Sequence, residues 1–129
     1  MAEHLAFDDV EDEVAGYLFE STGVASGEEV PNPKPNEFHE VEQIGGGMVT
    51  PVSGRTLLLI KSHGPTKRDA GRVARAARTA MARIRRLGDN PVYEVEVGAE
   101  RWSPDPDTEG PRYQFPVTLH SRVTITQAP

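Results

Sequence analysis

The side chains able to do chemistry are few and scattered. Four histidines, His4, His39, His63 and His120, are the best donors, and no two share a ligand spacing on one element. Zinc needs several converging ligands and the chain has no cysteine, so no metal site, thiolate nucleophile or disulfide framework is expected. A Ser-His-Asp set can be assembled on paper, but no nucleophile elbow supports one. Gly45-Gly46-Gly47 could cradle a phosphate. No Lys-Ser/Thr follows it and no helix starts there, so neither nucleotide fingerprint applies and a flexible strand end is the simpler reading. Asp105-x-Asp107-x-Glu109-Gly110 opens like a calcium loop. Pro116 stands where the bidentate Glu belongs and Pro106 stiffens the turn, which leaves an acidic hairpin loop. The chain reads as a non-enzyme without catalytic, cofactor or metal residues.

Charge is the stronger signal. The chain carries 14 Lys+Arg and 20 Asp+Glu, a net −6, very unevenly placed. Residues 1–42 hold twelve acidic side chains and one basic one, Lys34. Residues 66–87 hold eight basic ones, including Arg72, Arg75, Arg78 and Arg86, and a single Asp69. Either the basic element meets an external polyanion, or the two halves meet each other within or between copies. Eight cations could contact phosphates. Against nucleic acid stand the acidic whole chain, the lack of a preceding turn-and-helix and the absence of interleaved aromatics. A solvated helix face, a protein–protein surface and a nucleic-acid surface remain open.

The elements that position these groups follow from periodicity. Residues 8–22 place Val10, Val14, Tyr17 and Leu18 on one helical face, with Asp8 as N-cap, acidic residues at the positive end and Gly23 as the stop. Residues 24–36, with Pro31, Pro33 and Pro35, form an extended connector. A strand at 38–44 ends in the glycines, and a loop to about residue 54 leads to a doubly buried strand at 56–61. The clearest helix spans 66–87, with Ala70, Val73, Ala74, Ala77, Ala80, Met81, Ile84 and Leu87 on its apolar face, arginines opposite, Thr66 as cap and Gly88 as stop. Strands at 91–97 and 112–126 alternate cleanly. Pro116, on the opposite parity, predicts an edge position or a bulge.

The order is α-β-β-α-β-β. It predicts a single α+β domain over 1–129, an antiparallel four-stranded sheet packed by two helices, with loose termini at 1–7 and 127–129. A chain of 129 residues has room for one modest core. The run Leu57–Ile60 is far too short to span a membrane, and Met1-Ala2-Glu3-His4 opens no secretory signal, so an intracellular setting is expected.

At this point the chain resembles the tail terminator proteins of long-tailed bacteriophages, especially those of actinobacteria. The resemblance rests on ordered blocks covering nearly the whole chain: Phe7-Asp8-Asp9-Val10-Glu11 through Tyr17-Leu18; Val30-Pro31-Asn32-Pro33-Lys34-Pro35 leading into a Phe38 strand that ends in Gly45-Gly46; an aliphatic strand followed by an Ala/Arg helix; and Trp102-Ser103-Pro104-Asp105-Pro106-Asp107-Thr108 with Pro111-Arg112-Tyr113-Gln114-Phe115. Ser62-His63-Gly64-Pro65 departs from it, where a more helix-friendly entry is expected.

The resemblance implies a structural virion protein, assembled in the host cytoplasm. It would form a hexameric ring on the head-proximal end of the tail tube, stop tube polymerisation and present the surface that joins the capsid. Its partners would be further copies of itself, the major tail tube protein and a head-side neck protein, with DNA passing through the channel unbound. A ring of one subunit type needs two complementary patches. Asp9, Glu11, Asp12 and Glu13 against Arg72, Arg75, Arg78 and Arg86 are the expected subunit contacts. Loops at about 45–54 and 99–111, with Gly45, Gly46, Gly47, Trp102, Asp105, Asp107 and Arg112, are the expected tube or neck contacts. Trp102 is either an exposed anchor or a buried loop pin. The alternatives are another neck component, such as a head-closure protein, and a nucleic-acid-binding protein using residues 66–87.

Overall fold

The computed structural model describes residues 7–122. In chain order it contains α1 (Phe7–Thr22), β1 (Ser26–Gly27), β2 (Phe38–Thr50), β3 (Ser53–His63), α2 (Lys67–Ala82), β4 (Arg86–Leu87), β5 (Asn90–Val97), β6 (Arg101–Trp102) and β7 (Arg112–Arg122). The fold is α+β, two helices on one sheet, but the sheet is not the four-stranded antiparallel one expected. It has seven strands in the order β1-β2-β3-β7-β5-β4, with β6 also on β7. It is mixed, because β1 runs parallel to β2. The four long strands are the expected ones, but the aliphatic run at 56–61 is not buried on both faces: Leu58 and Ile60 are buried, while Leu57 and Leu59 on the other face are only half-buried. The other three are two residues long, too short to show a period, and β1 falls inside the Pro-rich connector.

Both helices pack on one face. Val10, Val14, Ala15 and Leu18 of α1 join Ala77, Ala80 and Met81 of α2 over Val41, Leu58, Ile60, Phe115, Val117 and Leu119 of the sheet, all buried. Helix α1 opens at Phe7, a residue before the expected Asp8 cap, and closes where the Gly23 N–H donates to Phe19 O at 2.8 Å. Thr66 caps α2 as expected, its Oγ1 accepting from Asp69 N at 3.1 Å. That helix stops at Ala82 with Arg83 as its C-cap, short of residue 87. Ile84 and Leu87 keep the helical period because both are buried, yet the backbone beneath them has already turned. Leu87 pairs with Asn90, and Gly88 (φ 63°) serves that hairpin turn instead of ending the helix.

The expected loop at 45–54 is also strand. β2 and β3 form a long hairpin, with Gly45, Gly46 and Gly47 opposite Leu57, Thr56 and Arg55 and a register shift after Gln43. At Gly46, φ is 129° and an added Cβ would lie 2.3 Å from Arg55 O, so this strand needs glycine there. Pro116 lies in the middle of the sheet, not at an edge, opposite Leu59 of β3. Its carbonyl accepts from Gly98 N at 2.9 Å, so its nitrogen faces the same side, where the chain breaks between β5 and β6 and needs no donor. The second face bears Glu40, Glu42, Lys61, Leu59, Thr118, His120, Glu94 and Glu96 by register. No helix among the described residues covers it. Residues 1–6, 123–126 and 127–129, parts of the expected termini and last strand, lie outside the described residues.

Candidate assembly surfaces

Helix α1 lies over β1 and β2, and α2 over β3, β7 and β5. The acidic and basic segments therefore meet opposite flanks of one helical layer. On the α1 flank, Glu11 and Asp12 come together with Glu28 and Glu29, which follow β1. The hydrogen bond to Glu11 and the nearby charges of Asp12 and Glu29 push the Glu28 carboxyl above its ordinary range. Glu11 also accepts the Gln43 N–H at 2.7 Å, which closes part of the β2 edge. Glu13 is exposed on the same helix. Asp9 lies in the first turn of α1, and its side chain is outside the described residues. Beside this cluster a shallow groove runs along Ala15, Gly16, Phe19 and Ala25, with the Phe19 ring 55% exposed at its rim.

The basic flank is partly spent within the chain. Arg72 pairs with Glu37 and approaches Asp69 at 3.6 Å. Arg78 donates from Nε to Gly98 O at 2.9 Å and from Nη1 to Glu100 Oε1 at 3.0 Å, so it spans the break between β5 and β6. Arg86 donates to Asp89 O at 3.2 Å. Arg68, Arg75 and Arg83 are exposed and have no ion pair among the described residues. At 100° per residue these three fall on one outward stripe.

The loop residues divide in the same way. The hairpin exposes Ile44 just before the glycines and Met48, Val49 and Val52 beyond them, each 45–61% accessible. Trp102 is not the buried pin of the two expected roles: it is 43% exposed, stands edge-on to Tyr113 at 5.2 Å and carries Lys67 Nζ 4.8 Å from its ring centroid. Asp105 accepts from Asp107 N at 2.9 Å, which holds its carboxyl below the ordinary range. Arg112 is buried, and its Nε donates to Ser103 O at 2.8 Å, so it fastens the 103–111 loop from beneath.

Two histidines are sealed inside. His39 lies between Ser62 Oγ (3.1 Å from Nδ1) and Thr22 Oγ1 (3.2 Å from Nε2), joining β2 and β3 to the end of α1. Burial, then the neighbouring His63, lowers its pKa to about 4. His63 bonds Glu40 through Nε2 at 3.0 Å, and this bond is the main force holding the Glu40 carboxyl below its ordinary range. The Ser62–His39 pair is out of reach of solvent, both side chains being fully buried. Linear spacing hides this chain of bonds, since its members are 17 and 23 residues apart. It hides Glu28 and Glu29 less well, because they continue the acidic N-terminal run.

No helix of the described residues is long and apolar enough to cross a membrane. No protein-family model matches the chain, and no curated protein matches it.

Proposed function

We propose that this chain is a ring-forming structural subunit of the tail terminator type. It would cap the head-proximal end of a phage tail tube, end tube growth and offer the surface to which the head joins. The observation that carries the reading is the placement of unneutralised charge of opposite sign on the two helices of one layer. Glu11, Asp12, Glu28 and Glu29 stand on one side, and Arg68, Arg75 and Arg83 line the other helix. A heterologous, head-to-tail contact needs two different complementary patches on one subunit, and six such contacts close a ring. Mutual repulsion at Glu28 is relieved when a neighbour brings cations. The apolar hairpin end supplies a second contact, toward the tube or the neck.

The test is mass by light scattering and sedimentation, with and without purified tail-tube protein, and negative-stain images of tube ends. A hexameric ring, free or formed only on tubes, is the expected result. Arg75→Glu weakens it, and Asp12→Arg on the same chain partly restores it. A monomer that ignores tubes overturns the reading. Duplex binding that weakens steeply with salt would replace it with the nucleic-acid alternative.

A further inference from the structure

On the uncovered face of the sheet, β5 and β7 bring together three donors that lie far apart in sequence. Glu94 pairs with His120 in register and Glu96 lies one step along the same face. One donor atom from each, the two carboxylates and the imidazole, lies within 4.8 Å of the others. His120 Nε2 is 2.7 Å from Glu96 Oε2. From these three residues we propose a divalent transition-metal site on the β5–β7 edge, with zinc as the ion it fits.

The backbone is built toward this arrangement. A register shift between Val92 and Glu94 places two steps of β5 against one of β7. Without that extra residue, Glu94 would sit opposite Leu119 and face the helices. Bulges that re-aim a side chain in this way recur beside functional groups. The imidazole is 20% exposed and held by the Tyr93 ring at 6.2 Å, whereas Glu94 has no bonding partner among the described residues other than this cluster. Arg55 of β3, in register with His120 on its other side, bonds neither carboxylate.

The donor set decides the ion. One imidazole and two carboxylates suit zinc, with metal–ligand distances of about 2.0–2.2 Å. Calcium and magnesium prefer oxygen alone. Small rotations of two exposed glutamates suffice to close a spread of 4.8 Å onto one ion. Three protein ligands leave a fourth position that faces solvent, where water completes a tetrahedron. The ion would tie β5 to the central β7, and the proposal does not depend on the ring.

The experiment uses the full chain stripped with a chelator and titrated calorimetrically with zinc chloride, then with cobalt chloride read by visible absorption. A single equivalent is expected to bind with a rise in Tm, and cobalt to give a tetrahedral spectrum. His120→Ala and Glu96→Gln should each weaken zinc by at least about tenfold, a loss of the size that disturbing a metal site's ligand environment produces. Glu42→Gln, on the same face two strands away, should change nothing. Zinc affinity equal in the wild type and His120→Ala, equal loss in Glu42→Gln, or no uptake at all overturns the site. Because Glu96 is largely exposed, its variant remains informative if His120→Ala folds poorly.

Discussion

The two faces of the sheet share the same strands and the same pleat, yet differ in nearly every physical respect. The helix-covered face buries Val41, Leu58, Ile60, Phe115, Val117 and Leu119, and its polar members His39 and Ser62 are satisfied by each other. The open face carries ion pairs such as Lys61–Glu42 at 2.9 Å, with Glu42 47% exposed. The hydrophobic core therefore resides on the first face, and the second carries exposed charge. Side chains alternate strictly along a strand, so each bulge decides which role the following residues take. Among the described residues, the shifts after Gln43, after Met48 and before Glu94 are the three places where this chain re-sorts them.

The largest test of that division is Phe115→Ala, which removes a fully buried ring from the covered face. It should cost about 3–5 kcal/mol in urea unfolding, and a loss below about 1 kcal/mol would mean that the core can collapse into the gap. Next comes acid. His39 has a folded pKa of about 4 against 6.5 when free, so below 6.5 the unfolded chain takes up the proton first. Stability is then complete above pH 6.5 and falls by about 3 kcal/mol as the pH drops toward 4. The lowered Glu40 carboxyl adds loss as the pH falls further. Urea midpoints across this range should slope steeply, and His39→Gln should flatten the upper part. An unchanged slope in that variant would place the acid sensitivity elsewhere.

Gly46→Ala forces a Cβ onto Arg55 O and a side chain into a positive φ. It should cost about 2 kcal/mol. Hydrogen exchange should show the opening confined to the hairpin end, and global loosening would contradict that location. Smallest of all is Glu42→Gln, expected to stay within about 0.5 kcal/mol because the pair is exposed and screened. If it costs as much as Phe115→Ala, the distinction between the faces fails.

The sequence announces what repeats. The 3.6-residue period marks both helices, Thr66 marks a cap, alternation marks three of the long strands and an aliphatic run marks the fourth. It conceals what is shorter than a period or set by a distant partner. Three two-residue strands leave no pattern, and the glycine triplet resembles a loop although β3 holds it in a ladder. The end of α2 is masked because Ile84 and Leu87 stay buried after the helix has stopped. Pro116 belongs in a central strand because the neighbouring chain breaks beside it, which only the pairing reveals. At the candidate surfaces, segregation of charge is legible, but the internal use of Arg72 by Glu37 and of Arg78 by Glu100 is not. The Glu94–Glu96–His120 group depends on a register shift that no linear spacing records.

The place of β7 has a consequence for how the protein is made. It lies between β3 and β5, yet it is the last of the described strands to leave the ribosome. Its pairings with β3 join residues as far apart as Ser53 and Arg122, so the loop they close is long and its entropy is lost late. Until residues 112–122 emerge, the β2–β3 hairpin and β5 each present an unpaired edge. During that interval the nascent chain exposes strand edges that can pair wrongly, and insertion of this one strand completes the sheet.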